Sequence, residues 1–151
     1  MTDSGIVKFE DVSVTPLQFG LFPTVQLFDS RCDVYGFSFG LISFAQKSVY
    51  GISCSAIAGG VEKNAGIKIC PFFGRSEKNY GVSFSLFDDA SINKGLMAGV
   101  ITQTASEKED GHEGMQIGLV NSANYGFQIG LLNHNKNSLV PWMILVNYSS
   151  P

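Results

Sequence analysis

Charge is scarce in this chain. Asp, Glu, Lys and Arg make up 15% of its 151 residues, against the usual quarter, and the formal net charge is −3. The Lys and Arg residues are scattered, so no basic face is offered and nucleic acid is not expected as a partner. Mimicry of DNA by an acidic surface would need far more negative charge. Long apolar runs are missing too. The longest, Leu139 to Val146, contains a proline and falls well short of the ~18 residues of a membrane helix. The N-terminus, MTDSGIVKFED, lacks the basic and apolar regions of a signal peptide. That reads as a cytoplasmic chain as written, or a surface or secreted one if trimmed. Cysteines are few: Cys32, Cys54 and Cys70 make an odd count without a CxxC pair, and read as reduced, buried thiols.

What is present is glycine (17) and phenylalanine (12), a bias towards short strands and tight turns. GMQIGLVN from Gly114 is followed by GFQIGLLN from Gly126. A looser form of the same phrase begins at Gly36 (GFSFGLIS), Gly51 (GISCSAIA), Gly66 (GIKICPFF), Gly81 (GVSFSLFD) and Gly95 (GLMAGVIT), with a degenerate copy at Pro16 (PLQFGLFP). Successive starts are separated by 20, 15, 15, 15, 14, 19 and 12 residues, and the three equal intervals mark a structural repeat.

Within each copy apolar residues alternate, the period of a strand. Phe37, Phe39 and Leu41 share one face, and their columns continue through Ile52, Cys54 and Ala56 and onward to Phe127, Ile129 and Leu131. This apolar face is expected to be the core. The opposite face carries Gly, a Ser, Lys or Gln, and another small residue, and is expected to be solvated or closely approached by a second backbone. Ile42, Ile57, Phe72, Phe87, Ile101, Val120 and Leu132 each follow directly on a core residue, which calls for a bend or a second covered face. Polar stretches such as Glu62-Lys63-Asn64 and Ser76-Glu77-Lys78-Asn79 read as solvated turns.

The expected fold is all-β: a repeat-built β-solenoid of about eight coils, each copy one coil with like residues stacked in parallel ladders. The alternative is an antiparallel β-meander closing as a barrel or sandwich. In-register columns favour the solenoid, because Asn121, Asn133 and Asn147 would then form a ladder at one corner. Residues 1–14 read as a lead-in and 15–151 as a single repeat domain. Its copies start near 16, 36, 51, 66, 81, 95, 114 and 126, and a capping strand lies at 139–148.

The pair GMQIGLVNSANYGFQIGLLNHN, closed by LVPWMILVNYS, resembles the surface-repeat proteins of leptospires and other bacterial groups. Those repeat a Gly-Leu-Gln-Ile-Gly-Leu-Ile-Asn phrase and end in a proline-containing apolar strand followed by Asn. The resemblance is close over residues 114–149 and looser over 16–102. It implies an exported or surface-associated repeat protein without known catalytic residues, and carries over no functional residue.

Candidate chemistry is thin. Cys54 and Cys70 could pair with His112 or His134 as a nucleophile site, but both cysteines sit in repeat columns that packing explains. Glu107, Glu109, Asp110, His112 and Glu113 are a dense set of hard ligands without the order of a calcium loop. No enzyme, metal or cofactor is expected. The expected function is a non-enzymatic scaffold mediating protein–protein interaction or self-association, its interaction face formed by Gly40, Gly99, Gln116, Gly118, Gln128 and Gly130. The alternative is a surface or outer-membrane-associated β-barrel-like component, favoured if both faces are apolar. A membrane partner is not expected, because polar Gln and Ser columns count against lipid exposure on their face.

Overall fold

The computed structural model of the protein describes residues 14–22, 25–26, 32–105 and 114–150. Its strands are β1 (Val14–Phe22), β2 (Val25–Gln26), β3 (Asp33–Val49), β4 (Ile52–Asn64), β5 (Ile67–Asn79), β6 (Val82–Asn93), β7 (Leu96–Thr104), β8 (Met115–Ile117), β9 (Val120–Ala123), β10 (Gly126–Asn135) and β11 (Trp142–Ser149). From β1 through β3 to β10 every pairing of successive coils is parallel and runs in chain order. The protein is an all-β solenoid of about seven turns, not a barrel. Like residues stack: Ile52 on Ile67 on Val82 on Leu96, and Asn64 on Asn79 on Asn93. Two antiparallel strands flank the stack. β2 pairs with β1, and β11 lies across β10 and turns its bend at Leu145, where φ is 72°.

Each coil has two legs. In β4 the first leg runs from Ile52, the chain bends near Ala56 and Ile57, and the second leg returns to Asn64. β8 and β9 are the two legs of one coil, interrupted at the bend. The turn after the second leg is tight because the next coil's glycine sits on the backbone below it. A Cβ on Gly51 would run into the Gly36 carbonyl oxygen, and the same collision recurs for Gly66 on Gly51, Gly81 on Gly66 and Gly95 on Gly81. Only a residue without a side chain fits that approach.

The face assignment expected from apolar alternation is inverted. Inward from the first legs point Gln18, Ser38, Ser53, Lys68, Ser83, Met97, Gln116 and Gln128, a column in register from coil to coil, each at most 4% exposed. Phe37, Phe39, Ile67, Ile69, Phe84 and Ile117 point outward and are 39–48% exposed. At the bend both members of each apolar pair also point outward, with Phe72 and Phe73 at 50% and 58%.

The reason is thickness. A coil of about fifteen residues folded into two legs leaves room between its walls only for small or slender side chains. Ser, Gly, Ala and Thr fill most of it. Long polar side chains are admitted because stacking gives each a partner in the next coil, so burial does not strand its donors. Gln128 donates to Gln116 at 2.9 Å and Gln116 to Thr104 at 3.0 Å. Asn64 donates to Asn79 at 2.8 Å and Asn79 to Asn93 at 2.9 Å. A small apolar cluster, Val34, Val49 and Val61, lies at the N-terminal end.

Candidate interaction surface

The first legs present an outer wall three residues wide. Its middle column runs Phe19, Phe39, Cys54, Ile69, Phe84, Ala98, Ile117, Ile129 and Val146, each paired in register with the next. A flanking column runs from Leu17, Phe37 and Ile52 to Met115, Phe127 and Tyr148. At the bend side lie Leu41, Ala56, Pro71, Leu86, Leu119 and Leu131. No charged side chain interrupts this grid among the described residues. Where Cys54 and Ala56 stand between Phe39 and Ile69, the wall dips into a groove of about 640 Å³ that also touches Leu21 and Pro71.

The second legs present a different wall. After one apolar column at the bend (Phe73, Phe87, Ile101, Val120, Leu132) comes a polar one: Arg75, Asp89, Gln103, Ser122 and His134, paired in register. Exposed Glu62, Glu77 and Lys78 lie further along. Arg75 reaches Asp89 at 3.8 Å across exposed surface. The turn corner is edged by tyrosines. Tyr35 stacks on Tyr50 at 4.6 Å, and the Lys63 ammonium lies 5.4 Å and 5.6 Å from the rings of Tyr50 and Tyr80. One wall is apolar and the other mixed, so the condition that favoured a barrel-like membrane component, two apolar faces, is not met.

The residues expected to form the interaction face are on the inside. Gln116 and Gln128 are 2% and 0% exposed and hydrogen-bonded to each other. Gly99, Gly118 and Gly130 are approached by the neighbouring coil: a Cβ on Gly99 would meet the Ser85 carbonyl, and one on Gly130 the Gly118 carbonyl and the Asn121 amide. Gly40 is in register between Gly20 and Ser55 on the same inner column. The close second backbone is the chain's own next coil. Their inward position also removes the argument that the polar columns disfavour lipid contact.

Of the asparagines, Asn121 donates to Asn133 at 2.7 Å and accepts from Thr102 at 2.7 Å, an amide ladder along the second-leg interior. Asn147 does not join it. β11 runs antiparallel, which sets Asn147 opposite Gln128, where its amide donates to the Val140 and Pro141 carbonyls. The ladder of Asn64, Asn79 and Asn93 escaped the sequence reading, which took these residues as solvated turns. Its signal is the Asn-x-Gly spacing, since the Asn side-chain oxygen accepts the glycine N–H two residues on, at 3.3 Å for Gly66 and 3.1 Å for Gly95.

Two reactive groups lie inside. Lys68 and Asp88 form an ion pair at 3.0 Å with side chains 2% and 0% exposed, and the Lys68 ammonium also reaches Ser76 at 3.5 Å. Gly74 makes room for them: its Cβ would sit 2.7 Å from the Asp88 carboxylate and 3.1 Å from the ammonium. The Cys70 thiol is fully buried and bonds the Phe73 carbonyl at 3.0 Å; burial pushes its pKa up to about 11, with Lys68 opposing. Cys54 is half-buried on the outer wall rather than in the core. His134 packs against Trp142, the ring centroids 4.4 Å apart and the planes tilted by 35°, four strand spacings along the stack from Cys70, about 19 Å away, so no nucleophile pair forms there. His112 and the acidic set Glu107, Glu109, Asp110 and Glu113 lie outside the described residues. Among the described residues no three His, Cys, Asp or Glu side chains gather as a metal site, and no helix is long and apolar enough to cross a membrane.

Fold and surface together define a two-sided parallel β-solenoid with one apolar wall. No family model matches the chain, and neither does any curated protein or solved structure.

Proposed function

We propose that the protein is a non-enzymatic repeat scaffold that works by association, through the apolar wall of its first legs, with a protein partner or another copy of itself. The observation behind this reading is the size and purity of that wall. Nine strands about 4.8 Å apart, each giving three outward residues spanning about 20 Å, make a surface of about 850 Å². The largest apolar patch on a typical monomer is about 300–600 Å² and is itself often functional.

The test replaces Ile67, Ile69 and Phe84 by threonine, a β-branched residue that suits a strand and removes most of the apolar area. Association measured by light scattering, and binding of a hydrophobic fluorescent dye, are expected to fall sharply with the far-UV circular dichroism unchanged. A wild-type chain that neither associates nor binds the dye would overturn the reading.

A further inference from the structure

Building on the apolar wall as a docking surface, we propose that its occupant is a second copy of this chain, the two walls packed face to face about a two-fold axis that runs along the strands through β6. The area is of the right size. About 850 Å² per copy matches the roughly 800 Å² per partner of a standard stable interface. The wall's chemistry suits a self-contact. With no charge among its described residues, it offers nothing to orient a charged partner and nothing to repel its own image. Packing the apolar walls together also leaves the polar second walls, with Arg75, Asp89, Glu62 and Glu77, outermost on both sides.

The axis follows from side-chain volumes along the middle column. Of the nine strands that carry the wall, β6 is the fifth. A two-fold along the strands reverses the coil order of the second copy. It sets Phe39 against Ile129, Cys54 against Ile117 and Ile69 against Ala98, with Phe84 meeting its own copy. Two of these pairs set large against small, Ile117 over Cys54 and Ile69 over Ala98, as interdigitating sheet faces about 10 Å apart favour, and Phe84 meets Phe84 ring to ring on the axis. Ile117 and Leu119 of one copy enter the groove over Cys54 and Ala56 of the other. An axis along the stack would instead set each coil on itself, Ala98 on Ala98 and Cys54 on Cys54, and would leave the groove over Cys54 and Ala56 unfilled. The axis along the strands also superposes the bends, so that the tyrosine corners of both copies fall on one side.

Size-exclusion chromatography with light scattering on the full chain is expected to give twice the 16.3 kDa mass of one copy. Phe84→Glu, which puts two carboxylates on the axis, should give the monomer with unchanged circular dichroism, and Glu62→Arg on the opposite wall should leave the dimer intact. Ile69→Lys should also dissociate it, and adding Ala98→Glu should restore it, a rescue that simple misfolding would not show. A short bismaleimide should link Phe84→Cys chains to each other. It should not link native Cys54 to Cys54, which this axis holds about 19 Å apart. Efficient Cys54 self-linking overturns the axis. A wild-type monomer that floats with phosphatidylcholine vesicles overturns the second copy but keeps the docking wall. A monomer that ignores vesicles but binds the hydrophobic dye likewise overturns only the second copy, and one that also leaves the dye unbound removes both.

Discussion

The buried ion pair sets the sharpest expectation at the level of single residues. Lys68→Ala leaves the Asp88 carboxylate enclosed without its partner and is expected to cost about 3–5 kcal/mol in urea unfolding. The double variant Lys68→Met with Asp88→Thr should recover most of that loss, because Met97 and Thr102 already occupy those two columns in the coils that follow. Cys70 sets a pH dependence. Its folded pKa, about 11, lies above the 9.0 of a free thiol, so folding favours the protonated form. The stability tied to this thiol is complete below pH 9 and is lost as pH rises towards 11. The urea midpoint should therefore fall across that window more steeply in the native chain than in Cys70→Ala. Gly130→Arg, which would probe an exposed interaction face, instead drives a side chain into the Gly118 carbonyl and should unfold the C-terminal coils rather than leave a soluble variant.

Among elements, the first legs and their phase were legible from the sequence, but the second legs were not, because Glu62-Lys63-Asn64 and Ser76-Glu77-Lys78-Asn79, read as turns, are the ends of β4 and β5. Alternation marked every first leg, the intervals between glycines gave the coil length, and the doubled apolar residues at Ile57 and Phe72 marked the bend. Which face lies inside was not legible. The rule that apolar residues go in holds when the alternative is an unpaired polar group, and a parallel in-register stack lowers that penalty by giving Gln116 and Gln128, or Asn64, Asn79 and Asn93, one another as partners. The quality of the core therefore depends on continuity. Asn79 stands between Asn64 and Asn93, and Asn79→Ala removes the bond that Asn64 donates and the one that Asn93 accepts, leaving the first its bond to the Val82 carbonyl at 3.3 Å and the second its bond from the Gly95 N–H at 3.1 Å. About 1–3 kcal/mol should be lost in thermal or chemical unfolding, from two lost hydrogen bonds at about 0.5–1.5 kcal/mol each. Ser91→Ala, at an exposed position on the neighbouring coil, should change little.

For the molecule as a whole, stacking makes each coil a unit that touches only its neighbours. Deleting residues 51–65, one full period, rejoins Phe37 to Ile67 and Ser38 to Lys68 in the same columns. That variant is expected to fold with its β circular dichroism retained and only modestly reduced stability. Removing eight residues from the same place puts every later column on the wrong leg and should prevent folding. The wall of the first legs follows from the same construction. Successive residues of one strand answer to different demands: Ser38, Ser53, Lys68 and Ser83 fill the narrow space between the legs, while Phe39, Ile69 and Phe84 beside them keep 39–45% of their surface exposed. The fold and the surface are thus spelled in alternate letters of one text. Selection can rewrite that outer wall, position by position, without renegotiating how the protein holds itself together.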